Sequence, residues 1–386
     1  MTKKFVIIIT VLLCTALWLI GINHKQQNAD FEEITFATWG SKSEIDILLP
    51  LLDEFEWKNQ DIMVNLMHIP QNYFQKLHLL FASNTAPDVI FINNQYLPLY
   101  AKFLEPAEIK DKSVFYPKVL QSMTVNGKIY ATPRDVSNLV IFYNKDIFKD
   151  KKVPFPKENW SFEDFLKTAQ KLTGNDVWGI SFDDSPLLYL PYLMSEGGGF
   201  LSDDASHSII ETPESQKGLK FYADLRKKYH VAPLKEESAS ATMAQLFLQK
   251  KLAMQISGRW IVPKYRQDAE FDWDVINFPH GDVGSVVPID SSGWAVVKSS
   301  KHIEASKRLI EFLSSKHAIE QFTKSGLIVP ARLDVAESTA FLDNRKPQNA
   351  KVFLDIIETG KPTPVSKNYR EILDNLKQQN ESVFNN

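Results

Sequence analysis

Ile34-Thr35-Phe36-Ala37-Thr38-Trp39-Gly40-Ser41, followed by Ile45, Leu48, Leu49, Leu52 and Phe55, is the stretch whose reading decides the fold. Its first five residues are β-branched or apolar and read as a strand, and Trp39-Gly40 interrupts them. The later apolar residues recur at the three-and-four spacing of one helix face. Ser41 and Glu44 stand at the spacing of a capping box, so the helix is expected to begin at the turn itself. Strand, tight turn and helix in that order make one α/β unit, with Trp39 held at the carboxyl end of the strand.

The plan recurs on both sides. Met63–Met67 reads as a second strand, Tyr73, Phe74, Leu77, Leu80 and Phe81 as a second helix face, and Val89-Ile90-Phe91-Ile92 as a strand covered on both sides. Leu139–Tyr143 reads as a strand leaving this lobe, and a Lys/Pro-rich run from Lys145 to Lys157 follows it. Ser161 caps a helix carrying Phe162, Phe165, Leu166, Ala169 and Leu172, and Thr212-Pro213-Glu214 opens another. Leu252–Ile256 and Trp294–Val297 read as late strands. The class is α/β with largely parallel sheets.

The chain of 386 residues carries 44 Lys and Arg against 47 Asp and Glu, a net charge of −3. That balance gives no basic field for displacing counterions from phosphates, so nucleic acid is not expected as a partner. Phe5–Ile22 is uncharged and mostly apolar, preceded by Lys3 and Lys4. As a helix it would span about 27 Å, enough for an export signal that stays in the membrane. The two lysines orient the rest of the chain outward. Residues 1–29 are therefore read as a signal or anchor, which makes the protein extracytoplasmic, periplasmic or on the outer cell surface. The single cysteine, Cys14, lies inside this stretch, so no disulfide is expected beyond it.

Motifs for chemistry are sparse. No histidine pair has the spacing of a helix-borne zinc site, and neither a nucleophile elbow, a phosphate loop nor a dinucleotide fingerprint occurs. No metal and no cofactor are expected. Asp183-Asp184 and Asp203-Asp204 read as solvated loops, Lys149-Lys151-Lys152 and Arg226-Lys227-Lys228 as solvated faces, and Gly197-Gly198-Gly199 as a flexible turn. Aromatics at element ends stand out instead: Trp39, Tyr143, Trp260 and Trp294 each adjoin a glycine, a charged residue or an amide. Sugar rings stack their C–H faces on such planes while fixed polar groups meet their hydroxyls.

Ile34–Trp39, Ala86-Pro87-Asp88-Val89-Ile90, Gly127–Pro133, Ile141–Phe148, Trp160–Phe165, Met254–Trp260, Gly293–Val296 and Val329–Arg332 together resemble, in order and spacing, the family 1 extracellular solute-binding proteins of sugar ABC transporters, the maltose-binding-protein-like group. The resemblance implies a two-lobe periplasmic-binding-protein fold of the class II type, with ligand between hinge-linked lobes. Lobe one would comprise 31–141 plus 291–328, and lobe two 142–290 plus 329–386. It implies no catalysis. The function implied is capture of a mono- to oligosaccharide, by a monomer, for delivery to a membrane permease driven by a cytoplasmic ATPase.

Carried over by position, the resemblance places Trp39, Ser41, Glu44, Asp88, Asn94 and Gln95 along the cleft, with Arg134 and Asp135 as polar contacts. Trp260, beside Arg259, would be the sugar-stacking aromatic of lobe two. Tyr143, Ser292, Gly293, Trp294 and Arg332 complete the expected site. Two alternatives remain open. Arg134, Arg259 and Arg332 could form a cationic pocket for a sugar phosphate or glycerophosphodiester. Asp88 and Asp135 could serve an exported glycoside hydrolase.

Overall fold

Two sheets carry the chain. The computed structural model describes residues 31–238 and 241–385, so the expected anchor, with Cys14, lies outside the described residues. Among these, no helix is long and apolar enough to cross a membrane. β1 (Glu32–Thr38), β2 (Ile62–His68) and β3 (Val89–Asn93) run parallel, separated by helices Lys42–Lys58 and Tyr73–Ala82, as the apolar periodicity predicts. A short hairpin of β4 (Thr124–Val125) and β5 (Lys128–Ile129) leads to β6 (Thr132–Ser137). The chain then crosses at Asn138 and Leu139 into β7 (Val140–Asn144). With β8 (Trp178–Ile180), β9 (Leu252–Ser257) and β10 (Trp273–Ile276), it forms a sheet in the order β10-β7-β9-β8.

β11 (Pro288–Val296) runs back into the first sheet between β6 and β3. β12 (Val329–Pro330) closes the edge beside β6, and β13 (Lys361–Pro362) pairs with the opening residues of β11. β11 is longer than the sequence suggests, because its first half bridges the lobes and only its second half lies in the lobe-one core.

Alternation accounts for the two-sided burial of the first sheet. Phe36, Phe91, Trp294 and Val296 pack on one face with Leu52, Leu309 and Phe322. Ala37, Ile90, Ile92 and Ala295 pack on the other with Tyr73, Leu77 and Leu97. A separate cluster around Phe142, Phe165, Tyr192, Tyr222 and Trp273 fills lobe two.

The lobe boundaries differ from those expected in two places. All of β7 belongs to the second sheet, so the first crossing falls at 138–139, not at 141. After β12, Val335 and Ala340 still pack into lobe one, whereas Ala336, Phe341 and Phe353 join lobe two. A helix of the lobe-one range, Pro117–Ser122, also docks on the C-terminal region: Lys118 Nζ donates to the carbonyls of Ile357, Glu358 and Gly360 at 2.6–2.9 Å. A cation there satisfies the last carbonyls of helix Val352–Thr359 and meets the negative end of its dipole.

Gly197-Gly198-Gly199 is packed, not loose. A Cβ at Gly198 would collide with the backbone of Ser215, whose hydroxyl accepts from Gly199 N at 2.9 Å.

Gly293 stands at a bulge between β11 and β6, where a Cβ would collide with the Thr132 carbonyl. Gly293→Ala is expected to cost about 1–3 kcal/mol of stability by forcing the strands apart. Urea unfolding measures it directly.

Candidate ligand site

Strand register defines which edges face each other. Ser292 pairs with Asn93, the last residue of β3, and with Asp135 of β6, while Asp290 lies beyond the end of β3 on the way to lobe two. Val140, first in β7, pairs with Ser257, last in β9. The carboxyl ends of β1, β2 and β3 therefore open towards the end of β9, where open α/β sheets bind their ligands.

On lobe one the turn after β1 presents Trp39, half-buried, with ring centroids 4.4 Å from Phe91, 5.1 Å from Tyr73 and 5.3 Å from Phe74. Phe74 in turn stacks on Tyr96 at 3.4 Å and 10°. Gly40 has φ +137°, and a Cβ there would strike the Glu44 carboxylate, so the turn depends on glycine. His68 Nε2 lies 2.9 Å from the Gly40 carbonyl, closing the turn against β2. Ser41 is exposed and accepts from Glu44 N as the helix cap.

On lobe two Trp260 follows β9 on a short 3-10 turn and remains 42 % exposed. Its ring covers Gly258, where a Cβ would fall inside the indole. From the C-terminal helix Tyr369–Asn385, the Arg370 guanidinium lies 5.6 Å from the Tyr96 ring, a contact that links the two lobes.

Beneath the lobe-one wall lies a buried ionic group. Arg134 donates to Glu44 and, through Nε at 2.8 Å, to Asp135. Its guanidinium sits 4.2 Å from the Phe91 ring and 5.2 Å from that of Phe322. Burial by itself would lower the Arg134 pKa. The two carboxylates outweigh it and hold the group charged, above its ordinary value. Glu44 thus completes only half of the expected capping box, because its carboxylate turns to Arg134. Asp135 also accepts from Ser292 N at 3.2 Å, tying β6 to the half-buried Ser292 of β11. Asn94 and Gln95 donate to Asp290 at 2.8 and 3.1 Å, fixing the end of β3 to the crossing strand. Glu44, Arg134, Asp135, Asn94 and Gln95 therefore shape the wall and are spoken for by protein groups.

Several expected site residues lie elsewhere. Asp88 stands at the opposite end of β3, where it accepts from Thr35 N at 2.8 Å and Ser300 Oγ at 2.6 Å. It lies five positions before the Asn93 row that holds Asp135, roughly 17 Å along a strand. Glycosidase carboxyl pairs stand about 5–9.5 Å apart, so these two cannot serve one glycosidic bond. Tyr143 is at the far end of β7, packed against Phe148 and Phe155, its hydroxyl pushed up to about 12 by burial. Trp294 is 1 % exposed, enclosed by Phe91 and Phe322, and is no platform. Gly293 serves strand packing.

The expected cationic pocket does not assemble. Arg134 is neutralised as described. Arg259 is buried against Phe341 at 4.0 Å. Arg332 pairs with Asp334 at 2.9 Å over the Phe115 ring, beside a lobe-one groove of about 590 Å³ that lies away from the strand ends. Nor is Arg226 a solvated residue: it is buried, donates to the Pro233 carbonyl at 2.8 Å and stacks 3.8 Å from Phe182.

Sequence reasoning missed Phe74, Tyr96, His68 and Arg370. Phe74 was absorbed into a helix face, yet with Tyr73 beside it only one of the two adjacent rings can point fully inward. Tyr96 follows the amides already singled out after β3. His68 and Arg370 carry no local signal.

This architecture, two α/β lobes joined by crossing strands with aromatic side chains at the facing strand ends, defines a two-lobe solute-binding protein. The chain belongs to the bacterial extracellular solute-binding protein family, whose model matches residues 51–349. A putative binding protein of Brucella abortus (strain 2308) is 23 % identical over 343 residues, spanning 86 % of this chain and 82 % of the other. The galactooligosaccharide-binding protein of Bacillus subtilis (strain 168) is 24 % identical over 351 residues, spanning 87 % and 81 %. An ABC substrate-binding protein from Listeria monocytogenes, solved in complex with cycloalternan, superposes with a TM-score of 0.85 at 27 % identity, over 92 % and 94 % of the two chains. The GacH receptor of Streptomyces glaucescens superposes at 0.82 with 22 % identity, over 92 % and 93 %. The expected family and two-lobe fold both hold, but the sheets are not largely parallel: β6, β11 and β12 pair antiparallel in the first sheet, as do β10, β7 and β9 in the second, because the chain passes between the lobes on crossing strands.

Removing the cation from the Glu44–Arg134–Asp135 group leaves two buried carboxylates facing each other, so Arg134→Met is expected to cost about 3–5 kcal/mol in urea unfolding. Burial raises the Asp290 carboxyl above its ordinary 3.8, more than its amide partners lower it. The native chain keeps this proton to higher pH than the unfolded chain. Its ionisation therefore costs stability above the raised value, and the cost fades as pH falls towards 3.8. Asp290→Asn is expected to flatten that part of the stability–pH curve, followed by denaturant midpoints across the acidic range.

Proposed function

We propose that this chain is the extracytoplasmic binding component of an ABC importer, holding a mono- to oligosaccharide between its lobes for a membrane permease coupled to a cytoplasmic ATPase. The observation that carries this reading is the pairing of aromatic surfaces: Trp39 and the Phe74–Tyr96 stack on lobe one, and the exposed Trp260 on lobe two. Flat apolar rings at both facing edges suit the C–H faces of pyranose units. The names of the similar proteins support it, since they include a galactooligosaccharide-binding protein, a maltodextrin-binding protein and a structure bound to cycloalternan. The separation of Asp88 from Asp135 supports binding without hydrolysis.

Closure follows from differential contact. A sugar resting on the lobe-one wall gains Trp260 only when lobe two swings in, and that added contact is the free energy that shifts the population towards the closed form. The crossing strands are the hinge elements, and Arg370 over Tyr96 is a contact between the lobes. The protein acts as a monomer, tethered to the cytoplasmic membrane through residues 5–22.

Titration calorimetry against malto- and galacto-oligosaccharides, with sugar phosphates and amino acids as controls, tests the assignment. Neutral sugars are expected to bind, with Trp260→Ala and Tyr96→Ala each weakening them roughly tenfold, the scale of one lost aromatic stack. Unchanged affinity for every sugar in both variants would remove these rings from the site.

A further inference from the structure

Arg259, next to Trp260 in the chain, is 2 % exposed, and its Nε, Nη1 and Nη2 find no acceptor among the described residues. Its faces are covered by Phe341 at 4.0 Å and Phe353 at 5.6 Å, which leaves the in-plane N–H edge as the only place for a counter-charge. Arg266 lies seven positions on, along the 3-10 turn Arg259–Ile261 and the helix Val262–Asp268 that continues it. That spacing returns both side chains to one side of the helix. Arg266 Nη1 is likewise buried without an acceptor.

The neighbouring charges do not resolve the excess. Asp343 is the one carboxylate acting on Arg259, and both its oxygens are taken: Arg266 Nη2 donates to each at 3.1 Å, and Arg345 Nε donates to Oδ2 at 2.7 Å. Lys346 turns away to Asp272 at 3.1 Å. Two guanidiniums thus occupy one carboxylate, and Arg259, the least solvated of the three, has none of it. Burial and the nearby Arg266 push Arg259 down to about 9, which still leaves it charged at neutral pH. A buried charge without a partner is among the costliest arrangements a protein can hold.

We infer that the N–H edges of Arg259 and Arg266 bind a small inorganic monoanion of the chloride type, lodged beneath the Trp260 turn. A monoanion suits the site because the rings of Phe341 and Phe353 lie against the guanidinium of Arg259 while its N–H groups lack acceptors, and guanidinium N–H groups bind anions in their own plane. The inference is independent of which solute the cleft takes.

The test is thermal unfolding of the full chain at constant ionic strength as gluconate is exchanged for chloride. The native midpoint is expected to rise saturably by about 2 °C or more, and Arg259→Met to lose the response while starting from an equal or higher midpoint in gluconate. An identical chloride response in both proteins would overturn the site. Diffraction from crystals grown in bromide decides it without a variant. An anomalous peak within hydrogen-bonding distance of the Arg259 guanidinium supports the inference, and a featureless map there refutes it even if Arg259→Met does not fold.

Discussion

One buried guanidinium, Arg134, holds the working edge of lobe one together. From its place on β6 it reaches the start of the first helix through Glu44, its strand neighbour Asp135, and the ring faces of Phe91 and Phe322 from two further elements. Through Asp135 the same group reaches Ser292 on β11, the strand that runs from one lobe into the other. Low dielectric makes such a group strong when every member is satisfied and costly when one is missing. The turn that carries Trp39 is positioned from below by this network, since Gly40 packs directly on the Glu44 carboxylate.

The site consequently divides into two layers. Charged and amide residues form the lower layer and are bonded to one another: Arg134 with its carboxylates, Asp290 with Asn94 and Gln95. Aromatic rings form the upper layer and keep free surface. A wall of this kind recognises a neutral ligand mainly by shape and apolar contact, and its rigidity lowers the ordering cost of binding. Lobe two contributes fewer but more exposed groups, which suits the half that moves.

The strands and helices were legible from periodicity because each buries one continuous face. β1, β2, β3 and their helices fall where the apolar spacing puts them, as do the helix caps at Ser161 and Thr212. Trp260, an aromatic beside a charged residue just past a strand end, does keep an exposed ring. Trp294 and Tyr143 satisfied the same rule and are core residues. A ring at a strand terminus faces solvent at one end of a sheet and packs at the other, and local pattern does not say which end. Asp88 failed for the same reason, being at the amino end of β3. The arginines failed differently: a guanidinium reads as a ligand group until the carboxylates that neutralise it are brought in, and Glu44 lies ninety residues from Arg134.

By itself the sequence determined the alternation of strands and helices, because that depends on local propensity and on the period of apolar residues, while the two-lobe class and the family came from the resemblance of its ordered motifs. It also determined that the turn after β1 would display an aromatic. Tertiary structure alone decided which polar residues stay available to a ligand and which are consumed in pairs, since partners such as Asn94 and Asp290 stand almost two hundred residues apart. It likewise decided that Phe74 and Tyr96 form one stacked surface and that Arg259 is sealed under Phe341. Those outcomes rest on which elements pack together, and packing is a property of the whole chain that no local window contains.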